Sequence, residues 1–471
     1  MIRLLNAYFP RRTFFLGVSE ACLIAGAFIA AAVARLGAND AGLMLGYEQG
    51  FLKVVLVSMA FITCMYYFDL YDSSILSNRR EVLTRLVQVL GTTSLVLSGF
   101  YYLYPSLELG RGIFLIGTVF VAVLLFFWRR LFLFINSAVG LADRVLILGD
   151  GSLADPLTRE IEQRPELALR VVGRVREPLS EPGQASCPEV LLDRGEGHAV
   201  HEDLVHYVKS LRVNRVIVAM GDRRGALPVE QLLALKSRGV LIQDATEVYE
   251  AITGKVPLES LRLGWLLFSP SFSDFRVVLI YKRLAAILVS TFVLLLCLPL
   301  IPFVALAIKL SSRGPVLYKQ RRVGRQGTIF NCYKFRTMRQ NAEAETGATW
   351  AADKDPRITA VGRFLRSSRL DEIPQLWNVI KGDMNFVGPR PERPEFVEWL
   401  VREISHYNVR HIVRPGITGW AQVRYKYGSS VADAQEKLRY DLFYVKNMSP
   451  GFDLLIFLHT VKIILLGRGA K

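Results

Sequence analysis

Leu284 to Ile308 reads LAAILVSTFVLLLCLPLIPFVALAI, 25 residues without a charge, bounded by Lys282-Arg283 and by Lys309. The reading of this stretch decides the architecture. Its length is that of a transmembrane helix. Pro299 and Pro302, however, sit past its middle, where proline removes backbone hydrogen bonds and breaks a helix. Cations flank both ends, so the positive-inside rule gives the stretch no orientation across a bilayer. It therefore reads as a re-entrant helix-break-helix that enters and leaves by one face and holds the following domain against the leaflet.

Upstream, four further apolar runs, Thr13 to Val33, Phe51 to Phe68, Val82 to Tyr104 and Ile113 to Ile135, are each near the ~20 residues that a membrane-crossing helix needs. Buried globular helices would not recur four times before any soluble pattern begins. The composition agrees: 51% of the 471 residues are hydrophobic, which places the chain among membrane proteins. Arg3, Arg11 and Arg12 precede the first run, Arg79, Arg80 and Arg85 lie at the start of the third, and Arg129 and Arg130 lie near the end of the fourth. The intervening loops expected around Asn39 to Gly50 and Pro105 to Gly110 carry few cations, so both ends of this four-helix unit are expected on the cytoplasmic side. The first run is long and interrupted by Glu20, unlike a cleaved signal. The net charge of +16 comes with no nucleic-acid motif, so no nucleic acid is expected. Cations beside a membrane serve lipid headgroups and phosphorylated substrates. The five cysteines show neither metal spacing nor a disulfide framework, and the six histidines form no metal cluster.

Downstream stands Arg369-Leu370-Asp371-Glu372-Ile373-Pro374-Gln375-Leu376-Trp377-Asn378, with Lys334-Phe335-Arg336-Thr337-Met338 before it and Gly388-Pro389-Arg390-Pro391-Glu392 after it. An Asp-Glu pair is often only a solvated first turn, favoured by the helix dipole. Here Arg363, Arg366 and Arg369 recur at three-residue spacing and could share a helical face. Pro374 also prevents a regular helix from running through the pair. A carboxylate pair framed by fixed cations suits phosphate chemistry with a divalent metal: one carboxylate attacks phosphorus, the other holds the metal.

These blocks, with Gly314 to Gly324, Asp355-Pro356-Arg357-Ile358-Thr359 and Arg414-Pro415-Gly416-Ile417-Thr418-Gly419-Trp420, resemble the bacterial sugar transferase family, the monotopic polyprenyl-phosphate sugar-1-phosphate transferases. The resemblance covers the chain from about Tyr281 to the end. The whole chain is similar to the large initiating enzymes of exopolysaccharide or O-antigen synthesis. The resemblance implies transfer of a sugar-1-phosphate from a UDP-sugar to undecaprenyl phosphate, with release of UMP. It implies Asp371 as nucleophile forming an aspartyl-phosphosugar, and Glu372 as ligand of Mg²⁺. It implies Lys334 and Arg336 on phosphate oxygens and Arg390 on the uridine diphosphate part of the donor, with Arg366 and Arg369 as further substrate-binding cations. It also implies the re-entrant segment, a bacterial inner-membrane location and contact with membrane lipid. A fifth crossing would carry Asp371 and Glu372 away from the cytoplasmic nucleotide sugars.

Residues 141–265 alternate strand and helix in a Rossmann-like α/β pattern. Val145 to Leu148, Arg215 to Ala219 and Val240 to Ile242 are the strand candidates, and a helical pattern runs to Glu162. Gly149-Asp150-Gly151-Ser152-Leu153-Ala154 fits G-x-G-x-x-A, so Gly149 and Gly151 are candidates for nucleotide binding. The acidic ribose reader is not evident: Glu177 lies too far on, and nothing catalytic accompanies the glycines. A structural turn in a domain that serves oligomerisation, for example a homodimer, or regulation is the competing reading. Residues 178–200 read as a mobile loop. Trp420 is as readily core as pocket, and Ser449 to Leu466, interrupted by Asp453, His459 and Lys462, reads as an interfacial helix.

The expected organisation is four transmembrane helices (1–140), a Rossmann-like domain (141–265), a linker with the re-entrant helix (266–310), and a mainly helical α/β catalytic domain (311–471). Three rival functions stay in view. A non-catalytic scaffold or nucleotide-sensing regulator would show no turnover. An NAD-dependent sugar-nucleotide epimerase or dehydratase needs a Tyr-x-x-x-Lys pair that residues 141–265 lack. A sugar-only glycosyltransferase would release UDP. No motif reads a hydroxyl configuration, so the identity of the sugar is open at this point.

Overall fold

Length and apolarity without polar interruption are local properties, and the four apolar runs become helices: α1 (Arg11–Leu36), α3 (Gly50–Tyr67), α4 (Arg79–Leu103) and α5 (Arg111–Ser137). This is a computed structural model. It describes residues 2–4, 7–9, 11–47, 49–71, 79–137, 142–164, 167–175, 189–191, 197–199, 204–221, 227–261, 275–340, 355–425, 428 and 430–465. Among them, five helices are long and apolar enough to cross a membrane: these four and the run Val277–Ser311. The chain packs as two compact units, one of Met1–Ile2 with Phe9–Gln243 and the other of Arg3–Tyr8 with Asp244–Lys471.

In the first unit, Ile24, Phe28, Phe61 and Leu125 form the centre of the helical core. Glu20, a charge inside the first apolar run, is fully buried and meets Arg129 through two hydrogen bonds, Nε–Oε1 at 2.7 Å and Nη2–Oε2 at 3.2 Å. A buried charge is tolerated where it is paired in this fork geometry. Arg129 also donates to Leu70 O at 3.1 Å, so one guanidinium ties three segments together. The stretch around Asn39 to Gly50 is not simply a loop. Ala38–Tyr47 forms a further helix, α2, which buries Ala41 and Met44; its alanines and leucines are strong helix formers.

The α/β part of this unit builds a six-stranded sheet. Its strands are β1 (Asp143–Leu148), β2 (Leu169–Val175), β3 (Glu189–Leu191), β4 (Gly197–Ala199), β5 (Arg215–Val218) and β6 (Leu241–Asp244), in the order β4-β3-β2-β1-β5-β6. β1 pairs parallel to both β2 and β5, as a Rossmann-like crossover arrangement requires. Antiparallel β3 and β4 extend the edge, so part of the stretch 178–200 is strand rather than loop. Its remainder, Glu177 and Asp222 to Gly225 lie outside the described residues. β2 escaped the sequence reading because Arg170, Gly173 and Arg174 interrupt its apolar signal.

In the second unit, the long apolar run is broken as its prolines require. Helix α10 (Phe275–Cys297) gives way to a 3₁₀ turn at Leu298–Leu300, and α11 (Ile301–Ser311) follows. Pro299 occupies the turn and Pro302 the first turn of α11, where a missing N–H costs nothing. Both arms pack on one domain. At the near end, Arg283 caps the last carbonyls of α13 (Gln375–Lys381), donating to Val379 O at 2.5 Å and Ile380 O at 2.7 Å. At the far end, Val304 and Ile308 share a core with Phe335, Leu365 and Leu376. A straight helix would carry Ile308 about 38 Å from Arg283, so this shared packing places a bend at the proline turn. The outer faces, including Leu288, Phe292, Phe303 and Leu306, are exposed.

The rest of the unit is mainly helical. It holds the hairpin β7 (Leu317–Val323) and β8 (Ile329–Phe335), and the parallel pair β9 (Asn385–Val387) and β10 (Gly416–Thr418). Helix α9 (Ala245–Thr253) belongs here, although the sequence pattern runs on to it from the sheet. Glu250 pairs with Lys446 at 2.7 Å, Lys255 pairs with Glu436, and Val256 N donates to Arg439 O at 3.0 Å. Gly254 ends α9 at φ +68°, a conformation glycine adopts without strain. Its carbonyl accepts from Trp420 Nε1 at 2.9 Å, and a Cβ there would stand 3.2 Å from the indole. Trp420 is therefore core, stacked on Phe443 and edge-on to Phe452 and His459. The C-terminal helix α17 (Pro450–Leu465) buries Phe452 and Ile456 and turns Asp453 inward, 2.5 Å from Lys282. Leu454, Leu458 and Ile464 face outward.

Candidate active site

The carboxylate pair sits where the helical pattern fails. Helix α12 (Ala360–Ser367), capped by Thr359 Oγ1 on Gly362 N at 2.9 Å, stops before Arg369. Arg369 takes the left-handed conformation at φ +57° and starts a single 3₁₀ turn, Leu370–Glu372. Pro374 then opens α13. Arg363, Arg366 and Arg369 thus do not share one helical face, because the helix ends between the second and the third. The turn is pressed onto β8 by Asn378, a fully buried residue of α13. Asn378 accepts from Tyr333 N at 3.0 Å and donates to Asn331 O at 2.8 Å and Asp383 Oδ2 at 3.1 Å.

Asp371 and Glu372 are both buried, at 7% and 8% exposure, yet their surroundings differ. Three cations converge on Glu372 Oε1: Arg390 Nη2 at 2.9 Å, Lys334 Nζ at 3.3 Å and Arg369 Nη1 at 3.7 Å. Burial alone would push this carboxyl up; Arg390, Lys334 and Arg369 outweigh it and hold the group below the ordinary glutamate range. No hydrogen bond from a described residue reaches the Asp371 carboxylate. Burial pushes Asp371 up and Glu372 adds to the rise, while Lys334, Arg390 and Arg366 oppose it without reversing it. The result is one firmly ionised, clamped carboxylate beside a more basic, unclamped one. The second environment suits a nucleophile; the first keeps Glu372 ionised, as a ligand of a hard cation must be, with three cations already sharing its Oε1.

Of the five basic residues named from the sequence, Lys334, Arg369 and Arg390 bond Glu372. Arg366 lies close enough to feel the charges of Asp371 and Asp355 while donating from Nε to Thr337 Oγ1 at 3.0 Å. Arg336 is placed differently. Its Nη2 donates to Ser312 O at 2.7 Å and Ser312 Oγ at 3.1 Å, securing the end of α11. Among the described residues no group of three His, Cys, Asp or Glu side chains gathers as a cation cage. Mg²⁺ does not need one: it takes one or two carboxylates and completes its shell with water and substrate phosphates. The ionised Glu372 beside Asp371 fits that donor set.

Arg390 stands on a loop held through its main chain. Gly416 N donates to Pro389 O at 2.9 Å, Gly388 N to Thr418 O at 2.9 Å, and Arg322 Nη1 to Pro391 O at 2.9 Å. Sequence reasoning assigns no role to Asn378 or Arg322. Their contacts are long-range and leave no local signature.

In the first unit, Gly149 and Gly151 serve close packing. Gly149 lies at φ +106° with its α-carbon against Met220, and Gly151 N donates to Ala219 O at 2.9 Å. A Cβ on Gly151 would stand 2.4 Å from that carbonyl. Arg174 binds both Asp150 and Asp155 beside the turn. The glycine amide that would cradle a phosphate is engaged within the protein.

Comparison with known proteins accords with this division. Residues 277–467 match the family model of the bacterial sugar transferases, and residues 66–227 match that of a CoA-binding domain. The chain is 44% identical over 266 residues to the UDP-N-acetylgalactosamine-undecaprenyl-phosphate N-acetylgalactosaminephosphotransferase of Aeromonas hydrophila, covering 56% of this chain and 61% of that protein. It is 33% identical over 322 residues to the UDP-glucose:undecaprenyl-phosphate glucose-1-phosphate transferase of Escherichia coli K12, covering 67% and 66%. Over 129 residues it is 46% identical to a putative undecaprenyl-phosphate N-acetylgalactosaminyl 1-phosphate transferase of Bacillus subtilis, 27% of this chain and 72% of the relative. The chain spans about three fifths of the Aeromonas protein's length. With a catalytic-domain match and a relative covered over most of its length, the chain belongs to the bacterial sugar transferase family.

Proposed function

We propose that the protein transfers a sugar-1-phosphate from a UDP-sugar to undecaprenyl phosphate, releasing UMP, as the first membrane step in assembling a bacterial surface polysaccharide. The observation that carries this reading is the buried pair in which Glu372 is clamped by three cations and Asp371 is left open. The activities of the relatives point the same way.

In the reading, an Asp371 carboxylate oxygen attacks the sugar-proximal phosphorus. The bond from that phosphorus to the bridging oxygen breaks, and UMP leaves with the bridging oxygen. An oxygen of the lipid phosphate then attacks the same phosphorus and frees the carboxylate. Two half-reactions let one site serve a soluble donor and a lipid acceptor in turn. Lys334, Arg369 and Arg390, which balance Glu372, are placed to take up charge on phosphate oxygens. Mg²⁺ held by Glu372 would supply neutralisation of the diphosphate. Glu372→Gln is expected to lower turnover by about a hundredfold or more; EDTA should silence the wild type and added Mg²⁺ restore it. Full activity in EDTA would remove the metal from the mechanism.

The site is read as facing the cytoplasm from the inner membrane, with α10 and α11 entering and leaving the leaflet by that face. The proline turn, the cations at both ends and the return of both arms to one domain support this. A cysteine introduced at Ser311 should be labelled from the cytoplasmic side, like one introduced at Ser152. Periplasmic labelling at 311 would make the segment a crossing. The overall test is incubation of the protein with a panel of UDP-sugars and undecaprenyl phosphate: UMP release by one donor supports the reading, and no turnover with any donor contradicts it.

A further inference from the structure

Arg390 approaches Glu372 from a loop whose own carbonyl is held from behind. Arg390 O accepts from Arg410 Nη2 at 2.9 Å. Arg410 lies in the 3₁₀ segment Tyr407–Ile412 and is almost fully buried. Its other terminal nitrogen donates to Tyr407 Oη at 2.5 Å, and Nη2 also pairs with Asp441 Oδ2 at 2.8 Å, on helix α16 (Val431–Asn447). Tyr407 and Asp441 are each 2% exposed.

A buried ion pair is a poor way to gain stability, since desolvation offsets most of the attraction. What this one supplies is direction. A planar guanidinium can meet a hydroxyl, a carboxylate and a carbonyl at once in fixed geometry, which an ammonium cannot. The third acceptor is the main chain of the residue that contacts Glu372. The hydrogen bond to Tyr407 sets the plane of Arg410 while the charge of Asp441 holds it in place, Arg410 sets the carbonyl of Arg390, and the stiff Pro389-Arg390-Pro391 backbone carries that setting to the side chain.

We propose that Arg410, oriented by Tyr407 and Asp441, is a positioning residue that fixes Arg390 against Glu372; the proposal rests on the transferase reading. Displacements of about 1 Å at a reacting centre cost about a hundredfold in rate, so a clamp of this kind has a measurable effect on turnover without touching substrate.

The test is a double-mutant cycle on the full-length protein in lipid nanodiscs, with kcat/KM for UMP release measured for wild type, Arg410→Lys, Arg390→Lys and the double variant. Arg410→Lys is expected to lower kcat/KM about tenfold or more in the wild-type background, and by no more than about twofold in the Arg390→Lys background, because interacting sites are non-additive. A loss confined to folding would lower activity by the same factor in both backgrounds, and that result overturns the proposal, as does an unchanged kcat/KM. If Arg410→Lys shows no cooperative thermal transition, Tyr407→Phe runs the same cycle, with about threefold expected in the wild-type background and about none in the Arg390→Lys background; equal factors again overturn it. Wild-type protein that turns over but gives equal factors sinks the clamp alone. Wild-type protein that releases no UMP sinks the reading beneath it, and the clamp with it.

Discussion

Asp371→Asn is expected to leave the protein folded and to lower UMP release by about a thousandfold or more, the scale on which losing a covalent nucleophile acts. The substitution keeps the volume and removes only the charge and the attacking oxygen. Glu372 keeps its bonds from Arg390, Lys334 and Arg369, so the cluster around it has no reason to collapse. The thermal transition should therefore stay within a few degrees of wild type, because Asp371 carries no hydrogen bond from the described residues to lose. Mass spectrometry after mixing with donor alone should find a phosphosugar on the peptide containing Asp371 in the wild type and none in the variant. Substantial turnover by Asp371→Asn would remove the residue from its role.

A chain that begins at Asp244 is expected to fold and turn over, whereas one that begins at Arg262 is expected to melt lower by on the order of 15 °C. Both retain the apolar segment Phe275–Ser311 and every residue of the carboxylate cluster. The shorter one lacks α9 and the residues after it. With them go the acceptor for Trp420 Nε1, the ion pairs of Lys446 and Lys255, and the buried side chains of Val248, Tyr249, Ile252 and Val256. Each buried side chain of this kind contributes about 1.5–3 kcal/mol, and about 1 kcal/mol moves the midpoint of a domain this size by about 2–4 °C. Equal melting of the two chains would show that the segment merely rests on the catalytic domain.

How much of this was legible in the residues depended on range. The apolar runs could be read because composition over ~20 residues is enough to define a membrane helix. The bend at Leu298–Leu300 was readable from Pro299 and Pro302, and the break beside Asp371 from Pro374, because proline acts on its own backbone. α2 has no such signature, because its ten residues fall below the length of a span and read as connection. The allegiance of α9 could not be seen: Glu250 and Lys446 are 196 positions apart, and the local pattern continues the alternation of the sheet before it. Arg336 illustrates the same limit. It lies two residues from Lys334, which suggests a shared partner, but it turns to Ser312, whose place depends on the return of the whole apolar segment. The clamp of Arg410, Tyr407 and Asp441 has no sequence signature because its members are joined only by the fold.

The central claim is that phosphorus moves with the sugar. A UDP-sugar labelled at the sugar-proximal phosphorus, incubated with the full-length protein and undecaprenyl phosphate, tests it most directly. The reading predicts the label in the lipid product, with unlabelled UMP released in equal amount. Label recovered in UDP, with an unlabelled glycolipid, would mean that only the sugar is transferred and would contradict it.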